Sequence, residues 1–396
     1  MHITYTPEQE DLRRELREYF ARIMTPEIRA EQAAGETSLT GKDGAYCRVI
    51  KQMGEDGWLG IGWPKEYGGQ DRTMLEQLIF TDEATLAGAA VPLLTINTVG
   101  PTLMEYGTQE QRDFFLPRIL AGDMHFSIGY SEPGAGTDLA ALTTKAVRDG
   151  DDWIINGQKM WTSLIHVADY VWLAARTDPD APRHKGLTMF LVPTNAEGFS
   201  WTPIKTMGGQ TTSQTFYENV RVPASAMVGE LNGGWKLITG QLNRERVALC
   251  SAAAIQLALH ETRRWAEQAV LPDGSRVIDR EHVQANLGRV HAKVEFLKLV
   301  NWKIAWSVDH GTKVGPADAS ATKIFGTEFA TEAYRLLMEC MGEDGYLQQD
   351  SPGAVLRGRL EKMHRTALIL TFGGGTNEVQ RDMIAMLGLG LPRPPR

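Results

Sequence analysis

The chain has few cysteines: Cys47, Cys250 and Cys340 are scattered over 396 residues. Their spacing supports neither a metal-binding pair nor a disulfide framework. Nine histidines show no HxxxH or HExxH spacing, so the common zinc patterns are missing. No uninterrupted apolar run is long enough to span a bilayer. Basic residues are not in excess: 41 Lys and Arg stand against 49 Asp and Glu, a formal net charge of -8. That balance argues against a dedicated nucleic-acid surface. The opening MHITYTPEQEDLRR is polar and acidic, unlike a secretory signal. A soluble cytoplasmic protein is expected, with neither nucleic acid nor membrane as a partner. Its length exceeds what one core usually serves, so two or three domains are expected.

Three textures follow one another. Thr6, Pro7 and Gln9 form a capping box that opens a helix, and Leu12, Leu16, Tyr19, Phe20 and Ile23 recur at helical spacing. Further helices are expected near 43–58, 73–87, 97–106 and 108–121, with a Pro- and Gly-rich loop at 62–70. Near residue 125 short β-like runs take over, separated by Asp-Gly and Asn-Gly turns. DYVWLAART, GLTMFLVPT and QTTSQTFYENVRVP all have strand character. From Trp235 the pattern is helical again, with candidates at 236–270, 280–309, 316–341 and 352–370, the lengths of a four-helix bundle. The expected fold class is α+β. A helical domain occupies 1–125, a mostly antiparallel β domain 126–232, and a helical bundle 233–396.

Three stretches carry chemistry. YSEPGAGTDLA (130–140) is Gly-rich and exposes backbone N–H groups suited to an anion. It is not a P-loop, because no Lys follows the glycines, and a plain connection between domains fits it equally. In NGQKMWTS (156–163), Trp161 and Ser163 would face the same way on a strand. A flat ring packed on the indole, or an ordinary Trp in an interdomain core, accounts for that pattern. In QLNRERVALCSAAA (241–254), Leu242, Glu245, Leu249 and Ala252 share a helical face. A carboxylate in an apolar stripe is costly unless paired, protonated or used. Glu245 is therefore either half of a structural ion pair or a general base in an apolar cleft.

Taken together, YSEPGAGTDL, NGQKMWTS, the helical–β–helical order and GGTNEVQR near the end resemble the acyl-CoA dehydrogenase family over nearly the whole chain. The resemblance implies FAD held between the middle domain and the C-terminal bundle. It implies Tyr130 and Ser131 at the pyrimidine side of the flavin. Thr137 would lie near the phosphates or the acyl-CoA, with Trp161 beside the ring and Ser163 at its N5 or O4. Thr376 and Glu378 match positions used for FAD, Glu378 where Gln is common. Many family members carry a catalytic Glu immediately before the Gly-Thr pair, here Gly375-Thr376, but that position is Gly374. A minority place the base before an arginine on the first long helix of the bundle, which matches Glu245 followed by Arg246. Glu245 is thus the expected base, and Arg246 and Thr137 the expected substrate contacts. The backbone N–H of Gly374 is expected to donate to the thioester carbonyl, stabilising a developing enolate. The implied reaction is α,β-dehydrogenation of an acyl-CoA, with electrons passed to an electron-transferring flavoprotein.

Two segments depart from the family pattern. The Arg-x-x-Phe-Gly stretch that one subunit lends to a neighbour's FAD is missing; LPDGSRVIDREHVQ (271–284) stands instead. The second lent segment reads ECMGEDG (339–345), with Glu339 where Gln is expected and Glu343 replacing a glycine. An acid near a pyrophosphate is repulsive. The chain therefore resembles the catalytic subunit of the heteromeric α2β2 acyl-CoA dehydrogenases of actinobacterial steroid catabolism, and a complementary β-type subunit and a steroid side-chain CoA ester are expected. A homotetrameric dehydrogenase for branched or medium acyl groups, an acyl-CoA oxidase and a non-catalytic structural subunit remain open.

Overall fold

The computed structural model describes residues 4–392 other than 249, 250, 313 and 350; the side chains at 33–38 and 242–248 also lie outside the described residues. The N-terminal helices are α1 (Pro7–Ile23), α2 (Pro26–Ser38), α3 (Ala45–Glu55), α4 (Met74–Ala87), α5 (Gly100–Tyr106) and α6 (Gln109–Leu120). Threonines start α1, α4 and α6, each accepting a backbone N–H three residues on while a Gln or Glu reaches back, the capping box expected at Thr6. Leu12, Leu16, Tyr19 and Phe20 of α1 are buried, as their spacing requires. The helix expected at 97–106 begins only at Gly100, after a wide π-type turn at Leu94–Val99.

Among the described residues eight strands form one sheet: β1 (Phe126–Gly129), β2 (Lys145–Asp149), β3 (Asp152–Lys159), β4 (Tyr170–Arg176), β5 (Leu187–Pro193), β6 (Phe199–Lys205), β7 (Thr211–Pro223) and β8 (Met227–Val228). The order is β6-β7-β3-β2-β4-β5-β8, with β1 parallel beside β4 and most other pairs antiparallel. Asp149 and Asp152 close a tight β2–β3 hairpin at the expected Asp-Gly. Asn156-Gly157, expected as a turn, instead makes a bulge inside β3 where the pairing with β7 shifts. Gly157 has φ of 151°, and a Cβ there would meet Thr144 at 2.5 Å, so only glycine fits.

Alternation on β4 and β5 decides what the sheet covers. Trp172, Ala174, Met189 and Leu191 join the core of the N-terminal helices. Val171, Leu173, Ala175, Phe190 and Val192 face the opposite way, into a second core with Trp153, Ile155, Tyr217 and Val220.

The C-terminal helices are α7 (Gly234–Ala248), α8 (Ala253–Gln268), α9 (Glu281–Asp309), α10 (Pro316–Glu339), α11 (Arg359–Ala367) and α12 (Asn377–Met383), and α8 to α11 share a third core. The single helix expected at 236–270 is two. Beyond α7, the Ser251 hydroxyl accepts the Ala253 N–H at 3.1 Å and donates to Asp82 of α4 at 2.7 Å. A side chain that bonds the local backbone competes with helix continuation. The N-terminal helices lean on this bundle. The Asp309 carboxylate, at the end of α9, accepts the N–H groups of Met74 and Leu75 at 2.6 and 3.1 Å, capping α4 from outside. Among the described residues no helix is long and apolar enough to cross a membrane.

Candidate active site

The two Gly- and Trp-bearing motifs of the β domain lie against each other. The Met160 N–H donates to the Ser131 carbonyl at 2.8 Å, and the Ser127 hydroxyl to the Ser163 carbonyl at 2.8 Å. Beneath them runs a buried ion pair. Lys159, fully buried at the end of β3, donates to Glu132 at 2.9 Å and to the Tyr130 carbonyl at 3.0 Å. Glu132 also accepts the Thr143 N–H and hydroxyl, both at 2.7 Å, and the Thr144 N–H at 2.8 Å. Burial alone would raise the Glu132 carboxyl; the attraction of Lys159 and hydrogen bonds from Thr144, Lys159 and Thr143 outweigh it and pull it down to about 2. Burial pushes the Lys159 ammonium down, and the attraction of Glu132 stops the fall at about 8. Both groups are charged at neutral pH, with Lys159 the less securely held member. This clamp closes the 130–144 loop onto β3 and leaves its glycines outward. A Cβ on Gly134 or Gly136 would touch nothing within 4 Å. Thr137 is exposed in that open stretch, and its neighbour Asp138 pairs with Arg183.

Trp161 and Ser163 do not lie on a strand, contrary to expectation. β3 ends at Lys159, and Trp161 sits at φ of 64°. Left-handed backbone is unusual for a bulky residue. It is fixed here because the flanking N–H groups are tied to different partners: Met160 to Ser131, and Thr162 to the Ser213 carbonyl at 2.8 Å. The result is an indole 56% exposed, held out from the sheet. Ser163 is exposed as well, its hydroxyl 3.0 Å from that of Thr212.

Tyr130 anchors the site from inside. Its hydroxyl donates to Gln241 of α7 and accepts the Trp172 indole N–H at 3.1 Å. Gln241, 2% exposed, donates in turn to Thr102 of α5 at 3.2 Å. One buried network thus joins the residue that follows β1 to β4, α5 and α7. Position 245 falls one helical turn after Gln241 on α7. The side chains of Glu245 and Arg246 lie outside the described residues.

The glycine turn closes the set. Gly374 and Gly375 have φ of 68° and 100°, conformations open to glycine. The turn is anchored at one end by the Gly373 N–H on the Ile369 carbonyl at 2.7 Å. At the other, Lys323 of α10 donates to the Gly375 carbonyl at 2.8 Å and to Asn377 Oδ1 at 2.7 Å. Among the described residues, the N–H groups of Gly374, Gly375 and Thr376 have no acceptor within the protein. Three successive donors of this kind suit an anion or a polarised carbonyl. The Thr376 hydroxyl accepts the Val379 N–H at 3.3 Å and caps α12, on whose first turn Glu378 is exposed. The β domain reaches this region through the Thr366 hydroxyl, which donates to the Gly208 carbonyl at 3.1 Å.

Three positioning groups, the Glu132–Lys159 pair, Gln241 and Lys323, were not singled out from sequence. Lys323 carried the same signal as Glu245, a charge on the buried face of its helix beside Ala319, Thr327 and Ala330. The segment that departs from the family pattern follows α10. Glu339 pairs with Arg335 and accepts the Asn286 amide at 3.3 Å, beside a cavity of about 330 Å³ also lined by Tyr346, Glu361 and His364. No group of three or more metal-ligating side chains is found among the described residues.

Comparison with known proteins adds to this geometry. Residues 6–123, 127–220 and 232–389 match, in turn, the N-terminal, middle and C-terminal domains of acyl-CoA dehydrogenase. The chain is 63% identical to acyl-CoA dehydrogenase FadE26 of Mycobacterium tuberculosis, over all of both chains. Among solved structures it is similar to a chain of the ChsE4-ChsE5 complex from Mycobacterium tuberculosis, with 63% identity, full coverage of both chains and a TM-score of 0.93. It is also similar to a chain of the Tcur3481-Tcur3483 steroid ACAD, with 48% identity, full coverage of both and a TM-score of 0.92.

Proposed function

The chain belongs to the acyl-CoA dehydrogenase family and is an acyl-CoA dehydrogenase, and from that premise we propose that it oxidises the CoA thioester of a steroid side chain, using FAD and a complementary partner subunit. The observation that carries the site assignment is the row of N–H donors at Gly374, Gly375 and Thr376, beside a position with no side chain of its own. The Gly374 N–H donates to the thioester carbonyl and stabilises the charge that develops there as the α proton leaves. Glu245 takes that proton, with Arg246 and Thr137 holding the CoA ester. Gly374 brings no carboxylate and leaves space for a bulky acyl group.

The residues present fit FAD: an exposed indole at Trp161, an open glycine loop at Gly134 and Gly136, and the donor row at the glycine turn. Tyr130, Ser131, Thr137, Trp161, Ser163, Thr376 and Glu378 would hold it, Tyr130 through its backbone because its hydroxyl is committed to Gln241. When bound, FAD supplies the acceptor for the β hydrogen. An electron-transferring flavoprotein would be the electron acceptor of the loaded enzyme. Similarity to a complex named for two components and to a steroid ACAD supports the partner and the substrate. So does Glu339, a carboxylate standing beside a cavity where the family lends a neutral Gln to the neighbouring subunit.

The test is anaerobic bleaching of the flavin by steroid side-chain and simple acyl-CoA esters, with the chain produced alone and with its partner. Full FAD occupancy when alone would support the homotetramer instead. Glu245→Gln is expected to retain FAD and lose bleaching; normal bleaching would remove Glu245 from the mechanism.

A further inference from the structure

We propose that Lys323 is a positioning residue for the thioester carbonyl, acting through the backbone of the glycine turn; this rests on the role given above to the Gly374 N–H. Lys323 is fully buried on α10 and touches the turn from behind. Its Nζ binds the Gly375 carbonyl at 2.8 Å and Asn377 Oδ1 at 2.7 Å, so one side chain clamps both the far end of the turn and the first residue of α12. Asn377 is itself held, donating to the Thr327 hydroxyl at 3.1 Å and to Glu328 at 3.2 Å, and Glu328 also receives Arg381 at 2.7 Å. The near end of the turn is fixed by the Gly373 N–H on Ile369. The backbone between those anchors belongs to three glycines, Gly373 to Gly375, which have more accessible conformations than any other residue.

The direction of the donors follows from the clamp. In a trans peptide the C=O and N–H point opposite ways. With the Gly375 carbonyl drawn toward Lys323, the Thr376 N–H must point away from α10. The Gly374 and Gly375 N–H groups are spanned between this fixed plane and the Gly373 anchor. Gly375 adds a second constraint, since a Cβ there would lie 2.7 Å from Gln380 Nε2. The Gln380 amide is fixed by its Oε1, which accepts the Ser320 hydroxyl at 2.8 Å. Lys323 and Gln380 thus support the turn from the bundle side and leave the Thr376 N–H on the other.

The test uses Lys323→Met and Lys323→Gln in the FAD-loaded protein, with any partner subunit it requires. The probe is the infrared carbonyl band of an enoyl-CoA product labelled with 13C at the thioester carbon. In the wild type this band is expected to move to lower frequency on binding. Lys323→Met is expected to bind the probe within about threefold of the wild-type affinity, to lose most of the band shift, and to lower kcat by about 10- to 100-fold with little change in KM. Lys323→Gln keeps one amide donor and is expected to fall between. A wild-type band shift in either folded variant would overturn the assignment, as would failure of Lys323→Met to fold combined with wild-type behaviour of Lys323→Gln. Absence of any shift in the wild type would count against the Gly374 assignment itself.

Discussion

Replacing Glu132 by Gln keeps the shape of the side chain but removes the charge facing Lys159, and it turns one of two accepting oxygens into an NH2 donor, since Thr143 bonds Oε2 while Thr144 and Lys159 bond Oε1. Lys159 has no solvent exposure and is already held at about 8. Without Glu132 it must remain an uncompensated buried cation or give up its proton. Removing one member of a buried pair costs about 3–5 kcal/mol. The carboxyl's fall from 4.5 to about 2 corresponds to about 3 kcal/mol, on the same scale. Lys159→Met is a smaller perturbation, because Glu132 retains three donors at 2.7, 2.7 and 2.8 Å; its cost is about 1–3 kcal/mol. Calorimetric melting at pH 7 is therefore expected to rank the wild type first, Lys159→Met second and Glu132→Gln last. The folded Glu132 value lies below its unfolded one, so its contribution is present above about pH 4.5 and is lost as pH falls toward 2. The gap between the wild type and Glu132→Gln should narrow below pH 4.5. Refutation would be Lys159→Met melting below Glu132→Gln, or a gap that stays constant from pH 7 to pH 3.

Asp82, a half-buried residue of α4 near Glu83, Lys298 and Arg13, is pushed up by desolvation to about 6 although Ser251 donates to it. Since its folded value lies above the ordinary 3.8, stability falls as pH rises from about 4 through 6. Asp82→Asn is expected to gain about 3 kcal/mol at pH 7 and only about 0.5 kcal/mol at pH 4, read by thermal melts at both. Trp161→Gly relieves left-handed backbone strain, so the melting point of its flavin-free form should equal or exceed that of the flavin-free wild type, while the flavin retained on gel filtration drops. Gly375→Ala, at φ of 100° and against Gln380, is expected to lower kcat by at least about tenfold while circular dichroism stays native.

The amino-acid order by itself determined what local chemistry can determine. Threonine caps, Pro at first turns and apolar spacing set where most helices begin and which face they bury, and alternation set the strands. The same logic marked Glu245 as a carboxylate out of place; the family resemblance, not local pattern, marked Gly374 as a missing one. Tertiary structure decided the rest, because the partners are distant in the chain. Asn156-Gly157 has the composition of a turn, yet pairing with β7 makes it a bulge. The helix through 236–270 breaks where Ser251 bonds an aspartate 169 residues away. Trp161 leaves the strand because its neighbours bind carbonyls on two separate segments. Tyr130 turns inward because Gln241 and Trp172 meet it there. Glu132, Lys159 and Lys323 stood in plain view as charged letters. What made them structural was burial against particular partners, a property that only the assembled cores can confer.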